Sequence, residues 1–229
     1  MYNSIKHITI IISSIIIATS IFHSVKYYRS FDRYVEVKGL AEEIVISDQA
    51  SWNINIAYSS NELRDIYKNI DQQQNKIIDF LTQQGINIKD VQKQTISIID
   101  NNNNYNNNTN LKKYSANSGI TINTNNINNL QQAITNINSL VESGVLITST
   151  YASYLYTKLN DIKTQMINKA LINAKLTANQ FANQTNGKLG GIKNASQGLF
   201  TITAPDGNFN DGSVRKKVRV VTSVQFFIN

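Results

Sequence analysis

The sequence predicts an α+β fold with a mainly antiparallel sheet, preceded by one apolar N-terminal segment. The first observation behind this prediction is a strand–helix–strand pattern that occurs twice, over residues 50–86 and over residues 118–145. In each copy, apolar residues alternate along the strand, recur at three- and four-residue steps along the helix, and are followed by a glycine. The second observation is size. A chain of 229 residues with 41% hydrophobic residues suits one domain, or one domain of two similar halves, plus an anchor.

Alternation of apolar and polar residues defines the predicted strands. In the clearest case, Trp52 lies on the apolar face of a strand and Asn53 on the opposite face, as expected of a half-buried antiparallel strand. A turn at Gly39 is predicted to end the first strand. The predicted strands cover residues 34–40, one or two segments within 43–58, then 91–99, 112–124, 145–157, a strand that begins at the glycine-rich turn 187–192, and 214–228.

Three amphipathic helices connect these strands. The first is predicted to be capped by Ser60 or Asn61 and to end at Gly85, and the second begins near Asn126. The third runs from about residue 160 to 186, and its alanine stripe indicates close packing. The side chains predicted to face the core are Leu63, Ile66, Ile70, Ile77, Phe80 and Leu81 in the first helix, Ile127, Leu130, Ile134, Ile137, Leu140 and Val141 in the second, and Ile162, Met166, Ala170, Ala174, Ala178 and Phe181 in the third.

Charge and composition exclude several classes of function. The net charge is +7, of which residues 1–33 carry +3, so the rest of the chain lacks the dense basic face typical of a nucleic-acid-binding protein. There is no cysteine, and both histidines, His7 and His23, lie in or beside the apolar N-terminal segment. The domain that follows therefore has no residues for Ser–His–Asp or Cys–His catalysis, for disulfides, or for Cys- or His-ligated metals. We predict no cofactor and no nucleic-acid partner.

Residues 8–22 form an almost wholly apolar segment, with Lys6 before it and Lys26 after it. This length is at the lower edge of what a membrane-spanning helix needs, and a basic start with an apolar middle is also the design of a signal peptide. The apolar run continues past the small residues 18–20, and Tyr27 and Tyr28 resemble an interfacial aromatic belt. An uncleaved membrane anchor is therefore the leading interpretation, with a cleaved signal peptide and a buried core helix as alternatives.

Several landmarks, taken in order, resemble the SIMPL-domain family of bacterial envelope proteins. Residues 35–42 resemble the family's first strand and its glycine turn, and Ser47-Asp48-Gln49-Ala50 resembles its Pro-Asp-x-Ala element with Ser47 in place of proline. Residues 81–92, which include Gly85-Ile86 and Asp90-Val91-Gln92, resemble the family's leucine…Gly-Ile…Asp-Ile-Gln stretch. Residues 170–191 resemble its third helix, rich in alanine and lysine, and its closing Gly-x-x-Gly turn. The resemblance covers about residues 34–229.

The resemblance implies a location and an organisation. It implies a single-pass inner-membrane protein whose residues 1–33 form the anchor and juxtamembrane segment and whose residues 34–229 form an ectodomain facing the periplasm. Secretion to the periplasm after signal cleavage is the alternative. The positive charges that flank residues 8–22 favour the opposite orientation, but long domains follow that rule poorly. The family is loosely tied to envelope and oxidative-stress tolerance and is expected to self-associate. It has no established catalytic residues, so the resemblance assigns none here.

The basic run 215–219 is the one dense group of positive charges. In an alternating strand Arg215, Lys217 and Arg219 share one face, which is typical of a solvated sheet face or a protected edge. The same three residues are the candidate contacts for an anionic envelope ligand, either a lipid or a polysaccharide. A nucleic-acid ligand would require the protein to lie in a different cellular compartment.

The remaining candidate sites each have a simpler structural interpretation. Glu42, Glu43 and Asp48 are the carboxylates from which a hydrolase would be built, but the sequence carries no signal of a pocket around them. The loop 206–212 has the one-three-five spacing of a calcium loop, yet Asp211 stands where a glycine is needed, so a hairpin loop is the leading interpretation. The glycines 187–191 follow a helix instead of opening one, which argues against a nucleotide site. Trp52 is predicted to be core.

An Asn-rich segment, residues 100–110, is predicted to be the tip of a hairpin, with a binding loop as the alternative. Taken together, the sequence favours a non-enzymatic, membrane-anchored envelope protein that is structural or interaction-mediating and forms a homo-oligomer. Two helices and an Asn-rich, uncharged sheet face offer surfaces for such assembly. A binding module for an anionic envelope ligand is the second hypothesis, and a carboxylate-based hydrolase is the third.

Overall fold

A computed structural model describes residues 12–25, 33–101, 112–209 and 212–229. Within these residues the chain is α+β, as predicted. The helices are α1 (12–25), α2 (Leu63–Gln83), α3 (Ile127–Thr135), α4 (Asn138–Glu142) and α5 (Leu159–Gln184), with one 3-10 turn at Ile88–Asp90. The strands are β1 (Tyr34–Ile46), β2 (Gln49–Ser60), β3 (Val91–Lys93), β4 (Ser97–Asp100), β5 (Tyr114–Thr124), β6 (Ile147–Leu155), β7 (Leu189–Gln197), β8 (Thr201–Thr203) and β9 (Arg215–Ile228).

The strands form two sheets, where the sequence predicted one. One sheet has five strands in the order β3-β5-β2-β6, with β4 also paired to β5, and the other has four strands in the order β1-β9-β7, with β8 also paired to β9. The chain also divides into two compact units. The first contains the described residues up to Glu43 together with Ile162–Thr201 and Arg219–Asn229, and the second contains Ile44–Asp161 and Ile202–Val218.

The five-stranded sheet carries the larger core. Its strands pair antiparallel, and the register places Trp52 opposite Ile122 on β5 and opposite Ala152 on β6. The strand alternation predicted for β2 is confirmed, because Trp52 is only 1% exposed and packs with the apolar faces of α2 and α3. The buried side chains of this core are Ala50, Trp52, Ile54, Ile56, Ile66, Ile70, Ile77, Phe80, Leu81, Ile86, Ala116, Ile120, Ile122, Ile127, Leu130, Ala133, Leu140, Val145 and Tyr154.

The four-stranded sheet packs against the alanine stripe of α5. Its small core contains Ala174 and Ala178 from the helix, Val37 from β1, and Val224 and Phe226 from β9. The predicted turn at Gly39 is wrong, since β1 continues through this glycine to Ile46. A side chain at Gly39 would clash with the carbonyl oxygen of Ala170 in α5. The glycine therefore permits close approach of the helix to the strand instead of ending the strand.

The helices differ from prediction in their boundaries and in which side chains they bury. Glu62, not Ser60 or Asn61, is the N-cap of α2, and its N–H donates to the Ser60 hydroxyl at 3.2 Å. The predicted second helix is broken into α3 and α4 around Asn136, a residue type with low helix propensity. In α5, Ala182 is buried and Phe181 is 54% exposed, because the stripe repeats every four residues from Ala170 onward. Gly85 ends α2 with φ of +77°, as predicted.

The predicted third strand, 91–99, is interrupted. It consists of β3 and β4 with Gln94–Ile96 between them, and both strands pair with β5. β4 and β5 form the two arms of a hairpin in which Asp100 lies opposite Tyr114. Residues 102–111, which include most of the Asn-rich segment, lie outside the described residues.

The N-terminal segment is described in part. Residues 12–25 are helical, whereas residues 8–11 of the predicted membrane segment and residues 26–32 lie outside the described ranges. Among the described residues, no helix combines the length and the hydropathy needed to cross a membrane.

Candidate functional site

The predicted basic residues do alternate along β9. Arg215 is exposed, Lys217 is half-buried and Arg219 is exposed, while the intervening Lys216 and Val218 are buried. The Arg219 guanidinium lies 3.6 Å from the Glu42 carboxylate, and both side chains remain largely in contact with solvent. Such exposed pairs contribute little to stability. Contact of Arg215, Lys217 and Arg219 with an anionic ligand stays a prediction.

The three candidate carboxylates each have a partner of their own. Glu43 forms a 2.8 Å ion pair with Lys169, and Glu42 faces Arg219. Asp48 accepts hydrogen bonds from the backbone N–H and the hydroxyl of Thr157, at 2.7 and 2.8 Å. Partial burial raises the pKa of Asp48, but these two hydrogen bonds outweigh it, and the pKa lies below its usual value. Asp48 therefore joins the turn between β1 and β2 to the segment after β6.

The calcium-like loop has the geometry of a turn. Asp206 uses one carboxylate oxygen to accept from the N–H of Asn208 and the other to accept from its side-chain amide, at 3.0 and 2.9 Å. These hydrogen bonds hold the pKa of Asp206 below its usual value. Gly207 takes a φ of +90°, as a tight turn requires, and Asn210 and Asp211 lie outside the described residues. No group of three or more His, Cys, Asp or Glu side chains within the described ranges is placed to hold a metal ion.

The feature that stands out in the structure is the second face of the five-stranded sheet. It lies opposite the face that packs on α2, and we call it the neutral face. Its residues are half-buried or exposed, Gly119 apart. They are Ser51, Asn53, Asn55, Ala57 and Ser59 from β2, Ser115, Asn117, Gly119, Thr121 and Asn123 from β5, Ser149, Tyr151 and Ser153 from β6, and Gln92, Ser97 and Ile99 from β3 and β4. None of these is Asp, Glu, Lys or Arg.

Cross-strand hydrogen bonds hold the side chains of the neutral face in place. The Thr121 hydroxyl donates to the Asn53 side-chain oxygen at 2.8 Å, and the Asn55 side-chain amide donates to the Ser149 hydroxyl at 2.9 Å. Gln94 donates to Thr121 at 3.0 Å. Because each amide and hydroxyl has further donor or acceptor capacity, the face can make additional hydrogen bonds to a partner.

A hollow of about 370 Å³ lies on the neutral face and is lined in part by Asn55, Asn117 and Ser149. Gly119 sits between Asn117 and Thr121 on β5 and contributes no side chain there. A side chain at Gly119 would clash with the carbonyl oxygen of Ile54 on the neighbouring strand, so close approach of the two strands requires the glycine. The hollow gives the neutral face a concave feature that a partner residue could fill.

A buried amide on α2 was missed by the sequence analysis. Gln74 is 4% exposed, and its amide donates to the Ser118 hydroxyl at 2.9 Å and to the carbonyl oxygens of Gln94 and Gly119, each at 3.1 Å. These contacts connect α2 to β5 and to the interruption between β3 and β4. A glutamine among apolar residues at helical spacing is the signal that could have indicated such a buried anchor.

The fold and the neutral face define a class: an α+β protein with two sheets, one of which presents an uncharged polar face. The comparison with family models then identifies the family. The SIMPL model, described as a protein of unknown function (DUF541), matches residues 35–225. The chain therefore belongs to the SIMPL family, as the resemblance implied. A search of curated proteins finds no match.

Proposed function

We propose that this protein is a non-enzymatic, interaction-mediating protein of the bacterial cell envelope that self-associates through its neutral face. Its residues 8–22 would anchor it in the inner membrane, with residues 34–229 in the periplasm. The observation that carries the proposal is the neutral face itself, an ordered sheet surface without charged residues on a chain of net charge +7. Any contribution to oxidative-stress tolerance would be indirect, because the chain has no thiol for reversible redox chemistry.

A second copy of the chain is the partner that the chemistry of this face favours. Two copies of a protein with net charge +7 repel each other, and a face without charge is the surface on which that repulsion is least direct. Amides and hydroxyls both donate and accept, so the face is complementary to itself in a two-fold arrangement. Tyr151, which is exposed on β6, adds an amphipathic aromatic side chain of the type enriched in interfaces.

The test is the oligomeric state of the full-length protein in detergent, measured by light scattering after size exclusion. The variant Asn117→Lys adds one charge to the neutral face, and docking would then have to remove that charge from water. We expect it to weaken association by about tenfold or more, which corresponds to about 1.4 kcal/mol. The matched control is Gln72→Lys, which adds the same charge to an exposed position of α2 and should leave association unchanged.

Two results would contradict self-association through this face. One is a wild-type protein that stays monomeric at the highest soluble concentration. The other is an oligomer that Asn117→Lys and Gln72→Lys weaken equally, since that would reflect net charge and not the face. Circular dichroism of both variants controls for folding.

The location is tested separately. A reporter that is active only in the periplasm, fused after Asn229, should be active if the main domain is exported. Sequencing of the mature N-terminus should recover residue 1 or 2 if the anchor is retained. A silent reporter would refute the orientation, and a mature start near Ile21 would replace the anchor with a cleaved signal peptide.

A further inference from the structure

Strand β6 forms one edge of the five-stranded sheet. It pairs with β2 on one side, and within the described ranges no strand pairs with its other side. The side chains of residues 148–151 are all exposed, on both faces of the sheet, so solvent reaches the edge itself. The outer side of such a strand presents backbone N–H and C=O groups of alternate residues. The edge of β6 is therefore a surface to which a further strand can be added.

The sequence of β6 lacks charge and proline, which often protect an edge strand. None of the residues of Ile147–Leu155 is charged and none is proline. Most of them are isoleucine, threonine or tyrosine, which favour strands. Thr148 is skipped in the pairing with β2, but the register then runs without interruption from Ser149 to Leu155. A regular, uncharged stretch of edge is therefore available for pairing.

The other edge strands in the described part of the chain are protected. β1 carries charged side chains at Glu36, Lys38, Glu42 and Glu43. β7 contains Lys193, and its pairing with β9 has two register irregularities. β3 and β4, on the far side of the five-stranded sheet, are only three and four residues long. Charge, irregular register and short length all hinder the addition of another strand, so β6 differs from these edges.

The residues of β6 are complementary to themselves in an antiparallel arrangement. When a two-fold axis passes through Tyr151, this residue lies opposite Tyr151 of the partner subunit, and Ser149 lies opposite Ser153 of the partner subunit. Aromatic pairs and pairs of hydroxyl side chains are favourable on neighbouring strands. No charges oppose each other along β6 in this register, which matters for a chain of net charge +7. A second copy of the same strand is therefore the partner that fits this edge.

We propose that two copies of the chain pair edge to edge through β6, antiparallel and centred on Tyr151, so that their two five-stranded sheets become one continuous sheet. Backbone hydrogen bonds carry this contact, whereas docking through the neutral face uses side chains on the surface of the sheet. The edge contact therefore goes beyond the proposed function and does not depend on it. With two separate self-complementary surfaces, the chain can also build assemblies larger than a dimer.

Cysteine cross-linking tests this pairing, since the wild-type chain contains no cysteine. Full-length Ser149→Cys and Ser153→Cys chains, carrying different affinity tags, are produced together in the same cells, purified in detergent and oxidised with copper phenanthroline. In the proposed register these two cysteines lie directly opposite each other, at a Cα separation of about 5 Å, which a disulfide spans. We expect at least about fivefold more cross-linked dimer than with either variant alone.

Each variant alone is the matched control on the same strand. Two Ser149→Cys subunits place their cysteines four residues apart along the paired strands, at about 14 Å, and the same holds for two Ser153→Cys subunits. A disulfide requires Cα atoms within about 7 Å, so neither variant should cross-link with itself. The variant Gln72→Cys, on the exposed surface of α2, measures cross-linking by random collision.

A second substitution separates edge pairing from docking through the neutral face. Asn117→Lys in both chains should leave the mixed disulfide unchanged, because Asn117 lies on β5, two strands away from β6. If the mixed disulfide persists while Asn117→Lys weakens association no more than Gln72→Lys does, the edge contact stands and the proposed function fails.

Three results would overturn the edge contact. The first is a mixture that cross-links no more than Gln72→Cys. The second is a Ser149→Cys or Ser153→Cys protein that cross-links alone as strongly as the mixture does, since the register would then be wrong. The third is a mixed disulfide that is lost with Asn117→Lys, because the contact would then belong to the neutral face.

Discussion

Replacing Gln74 by leucine tests whether a buried polar contact fixes α2 on its sheet. The Gln74 amide reaches one hydroxyl and two carbonyl oxygens, on Ser118, Gln94 and Gly119. Leucine is apolar and similar in volume, although it branches one carbon earlier, so the variant removes these hydrogen bonds and keeps the position filled.

The expected loss of stability follows from counting the hydrogen bonds that the variant removes and those that remain. An amide nitrogen carries two N–H groups, so its three contacts are worth about two net hydrogen bonds, each contributing about 0.5–1.5 kcal/mol. The Gln94 carbonyl keeps the Ser118 hydroxyl at 2.9 Å, and the Gly119 carbonyl keeps the Gln94 N–H at 2.9 Å. Both carbonyl oxygens therefore keep a donor, and the Ser118 hydroxyl stays hydrogen-bonded as a donor. We expect Gln74→Leu to lower the free energy of unfolding by about 1–3 kcal/mol.

The assay is urea unfolding followed by the fluorescence of Trp52, the single tryptophan of the chain. Gln72→Leu, the same exchange at an exposed position of the same helix, should stay within about 0.5 kcal/mol of wild type. A double-mutant cycle with Ser118→Ala should give a coupling energy of about 0.5–3 kcal/mol, as is usual for residues in one hydrogen-bond network. If Gln74→Leu is as stable as Gln72→Leu and the coupling energy is zero, the buried amide does not contribute to stability.

Four further predictions follow from the structure. Trp52→Ala should lower the free energy of unfolding by about 3–5 kcal/mol because it leaves a cavity in the larger core. Asn53→Ala should lower it by only about 1 kcal/mol, the contribution of the hydrogen bond from Thr121. Equal losses in urea unfolding would refute the strand register. Asp48→Asn should reduce stability at neutral pH and make stability fall less steeply in acid. The pKa of Asp48 is lowered in the folded protein, so the carboxylate contributes stability above its unfolded pKa of about 3.9, and this contribution is lost as the pH falls through the folded pKa. The same dependence of the melting temperature on pH in the variant and in the wild type would contradict this. Replacing residues 102–110 by Asn-Gly should leave folding and association unchanged, and loss of association with an unaltered melting curve would make this segment a functional site. Finally, Arg215→Gln with Lys217→Gln should reduce salt-sensitive binding to vesicles of anionic lipid if β9 contacts an anionic ligand, and unchanged binding would exclude that contact.

The parts of the fold that could be predicted from the sequence are those in which apolar residues recur at a regular spacing. The alternation around Trp52 gave the buried face of β2, and the recurrence of apolar residues from Ile66 to Leu81 gave the buried face of α2. Gly85 marked the end of that helix because its positive φ is costly for other residues. In these segments each residue acts mainly through its own burial, so local spacing is sufficient to predict it.

The parts that could not be predicted depend on partners distant in sequence. Alternation shows which face of a strand is buried, but it does not show which strand lies beside it, so the division into two sheets was missed. Gly39 resembled a turn because the helix that approaches it lies more than 130 residues later in the chain, where Asn173 accepts from the N–H of Leu40 at 2.9 Å. Gln74 and Lys216 were missed because polar residues are expected at the surface. Only the assembled fold shows that they are buried.

The residues that carry the family resemblance turn out to have structural explanations. Asp48 connects the turn between β1 and β2 to Thr157 by hydrogen bonds, and Gly39 allows α5 to approach β1 closely. Gly187 leaves room for the side chain of Ile228 at the end of β9. At Ser47, where the family element has proline, the backbone N–H donates to the carbonyl oxygen of Val214 at 2.9 Å, a bond that proline could not make. Because these positions determine the fold, membership of the SIMPL family predicts architecture and does not by itself predict a partner. The surfaces proposed to bind a second copy, the neutral face and the edge of β6, take only Gln92 from those motifs, so the function of this chain has to be sought mainly in residues outside them.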